Sequence, residues 1–182
     1  MRFVAPKVAP EEARRILSRR PKLSLRRKRE MKKMELVYLP YYIHRVVVSQ
    51  RHQEHEAVVC TDGICSGFSF FDAKEMAFCE EASGAVFDFL VSPEEAERAC
   101  RDNLRWHLVH QGLRLKVRPF IKEIVAVETI HYPYWVAYFK GPNSYDFRAA
   151  DAVTGEVQGI RMRKTFLTAF SQSGATRVRQ RK

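Results

Sequence analysis

Apolar and polar positions along this chain repeat with two different periods. Between Ser92 and Gly112, Ala96, Cys100, Leu104, His107 and Leu108 recur every three to four residues, the spacing of one helical face. Ser92-Pro93-Glu94-Glu95 opens that segment. It puts Pro at the first helical position, acids in the first turn and a capping box between Ser92 and Glu95. Gly112 reads as its stop. A shorter version starts at Ala9-Pro10-Glu11-Glu12-Ala13, with Ala13, Ile16 and Leu17 on one face and Pro21 ending it. After each helix the pattern becomes strand-like: ELVYLPYYIHRVVV at 35–48 and ETIHYPYWVAYF at 128–139. A turn and a second strand follow each of them, Ala57–Cys60 in one case and Tyr145–Ala149 in the other. Each then reaches a tight turn, Thr61-Asp62-Gly63 or Val153-Thr154-Gly155, and a last strand, 65–71 or 157–163.

Pro40 and Pro133 align at an offset of 93, and the two turns and the pair Gly67/Gly159 at 92. An offset held over separated landmarks implies an internal duplication. The expected fold is α+β: two tandem helix-plus-antiparallel-meander units with pseudo-two-fold symmetry. Residues 1–75 would form the first unit with a basic N-terminal arm, 76–91 a connector, 92–170 the second unit and 171–182 a disordered basic tail. Pro lacks a ladder donor, so Pro40 and Pro133 are expected at sheet edges or bulges.

The segments VAYF at 136–139, YDFR at 145–148 and DAVTGEV at 151–157 resemble the PepSY domain. The resemblance covers residues 92–163, and extends to 9–72 through the repeat. Cys60-Thr-Asp-Gly-Ile-Cys65 keeps the turn without the Thr-Gly-Glu. It implies a cystatin-like wrapped sheet and a non-catalytic role in peptidase regulation or protein binding.

Charge is unevenly placed. The net charge is +11, yet residues 1–35 carry +9 and residues 161–182 carry +7, leaving −5 between them. Basic ends on a mildly acidic body point to arms for an anionic partner, nucleic acid or acidic membrane surface, with Arg26, Arg27, Lys28 and Arg29 as candidate anion-binding residues. Without an apolar leader or an 18-residue apolar run, the expected location is cytoplasmic, with peripheral membrane association open. The four cysteines are then expected as free thiols. A four-residue turn at 61–64 would set Cys60 opposite Cys65, with His52 and His55 nearby as a conceivable Cys₂His₂ set. Two small apolar residues in a strand pair is the other reading. Cys79 and Cys100 with His107 and His110 are the available thiol and imidazole groups, and His107 and His110 could share a metal. No phosphate-binding glycine loop, zinc-protease or serine-hydrolase motif is present. The expectation is therefore no enzyme, no cofactor and no metal. A non-enzymatic module recognising a protein or peptide is expected, with Tyr41, Tyr42, Tyr134 and Trp135 around the two prolines as candidate partner-binding residues.

Overall fold

The computed structural model describes residues 2–19, 30–51, 53–72, 76–140 and 145–179. In chain order these form β1 (Arg2–Val4), α1 (Pro10–Ser18), β2 (Glu30–Gln50), β3 (Gln53–Asp62), β4 (Phe68–Phe70), β5 (Phe78–Cys79), β6 (Ala85–Val86), α2 (Pro93–Leu115), β7 (Phe120–Lys140), β8 (Tyr145–Asp151) and α3 (Ile160–Arg179). The fold is α+β. The strands make one mixed, open sheet in the order β4-β3-β2-β7-β1-β5, with β6 added to β2 and β8 to β7. The β2–β6 pairing is parallel, whereas β2–β3, β3–β4 and β7–β8 are antiparallel. No helix among the described residues is long and apolar enough to cross a membrane.

Two compact units divide the chain, at Leu39/Pro40 and Ile130/His131 within the long strands. One comprises Pro40–Met76 and Asp88–Ile130. The other comprises Arg2–Leu39, Ala77–Phe87 and the chain from His131 on. The division cuts across the sequence segments: α2 packs on β3 and β4, and α1 packs on β8.

In the unit containing α2, Cys100, Leu104 and Leu108 meet Val46 and Val59, with Val48, Ala57, Phe68, Ile121 and Ile124 around them. The helical period of 3.6 and the strand period of 2 bring these positions to one interface. Ser92 caps α2 as expected: its side chain accepts from the Glu95 amide, and the Glu95 carboxylate accepts from the Ser92 amide. Gly112 does not stop this helix. It lies buried inside it, because a Cβ there would stand 2.7 Å from the Val117 carbonyl oxygen, and the helix ends one turn later with Lys116 in the left-handed region. His107, expected on the inner face, is exposed and rests edge-on against Phe70.

In the unit containing α1, Leu17 packs with Ala137, Phe139 and Ala150, and Phe3, Leu36, Tyr38 and Ala152 form a second cluster. The last strand expected at 157–163 is absent. Val157 makes a single bridge to Ala150, and α3 begins at Ile160. Thr165, Phe166 and Ala169, at helical spacing, are its buried positions. Helix continues through 171–179, where the sequence reads as an irregular tail; residues 180–182 lie outside the described residues.

Pro40 and Pro133 are mid-strand on interior strands, not at edges. The β3 ladder starts at Tyr41 and the β8 ladder at Tyr134, one residue past each proline, so those ladders ask neither ring for an N–H. Each proline carbonyl still accepts: Pro40 from the Gly63 amide at 2.8 Å and Pro133 from the Ala152 amide at 3.1 Å.

His44, 1% exposed on β2, has no hydrogen-bond partner for either ring nitrogen among the described residues. Burial holds its pKa below the usual 6.5, opposed by the Glu97 carboxylate. A depressed imidazole pKa gives stability that is complete above the unfolded value and lost as pH falls through the folded one. Replacing an unsatisfied buried polar group with an apolar one removes its desolvation cost. His44→Leu is expected to raise unfolding free energy at neutral pH by about 1 kcal/mol, and its advantage should widen as pH drops below 6.5. Urea titrations across that range check both; a variant weaker than wild type at every pH would contradict them.

Candidate functional site

Each hairpin ends in a turn held by one aspartate. The Asp62 Oδ1 accepts from the Ile64 and Cys65 amides at 3.0 and 2.6 Å, and its Oδ2 accepts from the Gly67 amide at 2.5 Å. The Asp151 Oδ1 accepts from the Val153 and Thr154 amides at 2.7 and 2.9 Å, and the Tyr132 hydroxyl donates to the same carboxylate. These are Asx turns, in which a side chain replaces a backbone acceptor. Both aspartates lie across the ladder from a tyrosine, Asp62 from Tyr41 and Asp151 from Tyr134. Burial raises the Asp62 pKa despite its three amide donors. Gly67 is required there, since a Cβ would stand 2.3 Å from the Asp62 Oδ2. The two turns are alike at Asp62 and Asp151, 89 positions apart, whereas Gly63 and Gly155 stand 92 apart. The left-handed position four residues on is Ser66 in one turn and Gly155 in the other.

Behind each aspartate, one carbonyl receives the chain that leads into a helix. The Gly63 carbonyl accepts from the Leu90 and Val91 amides at 2.7 and 3.0 Å; the Ala152 carbonyl accepts from the Lys7 and Val8 amides, both at 2.9 Å. A side chain completes each junction. The Tyr42 hydroxyl donates to the Val91 carbonyl at 2.7 Å, and the Trp135 Nε1 donates to the Val8 carbonyl at 2.8 Å.

Two of the expected partner-binding aromatics, Tyr42 and Trp135, are engaged in these contacts. Tyr41, Tyr42 and Tyr134 are 8%, 8% and 6% exposed, and Trp135 is half-buried. They do not form an open platform. The helix-leading segments cover Tyr42 and Trp135, and α3 covers Tyr134 through Phe166, ring centroids 5.4 Å apart. Burial raises the Tyr42 pKa, with Glu94 and Glu95 adding to it. Arg26, Arg27, Lys28 and Arg29 lie outside the described residues.

Cys60 faces Ser69 and not Cys65, which lies in the turn, and all four cysteines are free thiols. His55 is five residues from Cys60 on the same strand, hence on the opposite face; His52 lies outside the described residues. Burial raises the Cys60 thiol to about 12 and the Cys100 thiol to about 11, so neither is a thiolate near neutral pH. His107 and His110 stack on different partners, Phe70 and Trp106.

A groove without any local sequence signal lies in the unit that holds α1. Val8, Ile16, Gly155 and Val157 line it together with Glu12, Arg15, Arg19, Arg148 and Thr154, and its volume is about 470 Å³. Arg15 and Arg19 are exposed. The Arg148 Nη1 donates to the Leu17 and Arg19 carbonyls at 2.5 and 2.7 Å, satisfying acceptors that the end of α1 leaves open. Residues 8–19 and 148–157 are distant in sequence, so no local motif marks the groove. Comparison with protein-family models, curated proteins and solved structures found no match.

Arg148→Ala is expected to lower unfolding free energy by about 1.5–3 kcal/mol. Arg148→Lys should recover part of it, because an ammonium lacks the planar fork that serves two carbonyls. Urea denaturation of the three proteins measures this, and equal stability of Arg148→Ala and wild type would refute it.

Proposed function

We propose that the chain is a duplicated, PepSY-like, non-catalytic module that recognises a protein or peptide segment, and that the α1 groove receives it. What supports the duplication is the recurrence of one bonding frame: proline carbonyl to turn amide, aspartate to turn amides, turn carbonyl to the helix-leading chain, and an aromatic donor closing the junction. Its two copies share helices reciprocally, since α1 packs on β8 and α2 on β3. The carboxylates and aromatics beside the prolines hold the frame together, and the buried thiols are suppressed as nucleophiles.

The groove carries the binding reading. The exposed guanidinium groups of Arg15 and Arg19 line it beside the apolar Val8, Ile16 and Val157. Planar guanidinium groups suit carboxylates, and the apolar residues suit an aliphatic side chain beside them. The preferred occupant is a short acidic peptide segment.

Fluorescence anisotropy with labelled peptides pairing Asp or Glu with Leu or Val tests this on the full chain. Arg15→Glu with Arg19→Glu should weaken binding by about tenfold or more, with higher salt acting in the same direction. Both side chains are exposed, so the fold should survive. Binding indifferent to the double reversal removes the groove. Nucleic-acid binding lost on neutralising Arg26, Arg27, Lys28 and Arg29 would transfer function to that basic segment instead.

A further inference from the structure

Helix α2 carries two apolar stripes, and only one is covered. Ala96, Cys100, Leu104, Leu108 and Gly112 are buried. Trp106, Val109 and Leu113 stand 67%, 56% and 74% exposed. At about 100° per residue these three fall within about 60° of one another on a second face. Contiguous exposed apolar groups of this kind mark contact surfaces.

The charges beside this stripe say what it meets. Arg98 and Arg105 project along one side and Arg114 along the other, each about 80–100° from Trp106 around the axis, and Lys116 follows at the C-cap. Between Asp102, at the N-terminal limit of the stripe, and Glu123 the chain has five Lys/Arg and no acid. Of these, Lys122 pairs with Glu54, whereas Arg105, Arg114, Lys116 and Arg118 have no acidic partner among the described residues. A cleft of about 530 Å³ beside the end of the helix continues the same mixture, with Val109, Leu113 and Val117 next to Lys116 and Arg118.

We propose that this face of α2 docks on an anionic lipid bilayer. An apolar stripe flanked by cations is the signature of a helix lying in the membrane interface, where Trp is favoured and the cations reach lipid phosphates. Val109 and Leu113 offer nothing for base stacking, which disfavours a nucleic acid. Two copies meeting on this stripe would bring the cations beside it, Arg105, Arg114, Lys116 and Arg118, toward like charges, which disfavours a second copy. The surface is separate from the peptide groove and does not depend on it.

Flotation of the full chain with vesicles of phosphatidylcholine, alone or mixed with phosphatidylserine, tests this. Wild type should float with the mixed vesicles only. Trp106→Ser with Leu113→Ser, and separately Arg105→Glu with Arg114→Glu, should each cut the bound fraction by about tenfold with unchanged circular dichroism. Arg15→Glu with Arg19→Glu should leave flotation intact, which separates this surface from the groove. Absence of wild-type binding at low salt overturns the proposal. So does flotation that ignores the Trp106/Leu113 pair, which would assign it to charge elsewhere on the chain. A dimer that this same pair dissociates in light scattering, or RNA binding abolished by both pairs, overturns it equally.

Discussion

Two backbone carbonyls, those of Gly63 and Ala152, carry the architecture. Each takes two amide donors from a segment that has left one secondary element and not yet entered the next. In each turn an aspartate side chain occupies the turn's own amides and so holds that carbonyl in place. The consequence is topological. The chain before α2 is tied to the hairpin that ends β3, and the chain before α1 to the hairpin that ends β8. Each helix is thereby delivered onto a hairpin distant in sequence, where its apolar face is buried.

The same constraint explains why the aromatics beside the prolines are interior. A junction made of backbone donors leaves its own carbonyls to be satisfied, and buried acceptors without partners are costly. Tyr42 and Trp135 each provide an apolar body for the core and one donor for that carbonyl. Side chains placed this way are unavailable to a partner. The groove beside α1, with its exposed arginines, and the outer stripe of α2 take no part in the frame, and the proposed recognition is placed there.

Local features were legible in the sequence and non-local ones were not. Ser92-Pro93-Glu94-Glu95 specifies a capped helix start through contacts within four residues, and the capping box is present. The two prolines mark real landmarks, yet a lone Pro does not say whether its strand is interior; that depends on where the neighbouring ladder begins. Gly112 misled because glycine serves close approach as readily as termination. Gly63 and Gly155 hold different places in their turns, since the left-handed position is Ser66 in one and Gly155 in the other. Residues 157–163 read as a strand by analogy with 65–71, against the helical spacing of Thr165, Phe166 and Ala169. Nothing local announces that Arg148 caps α1, because donor and acceptors are about 130 positions apart.

Hydrogen exchange followed residue by residue in solution reads the controlling bonds directly. The amides of Lys7, Val8, Leu90 and Val91 lie outside every strand and helix, and in an ordinary loop they would exchange quickly. If the Ala152 and Gly63 carbonyls hold them, all four should exchange as slowly as the paired amides of β2 and β3. Exchange of either pair at open-loop rates would contradict the shared frame and, with it, the reciprocal placement of the two helices.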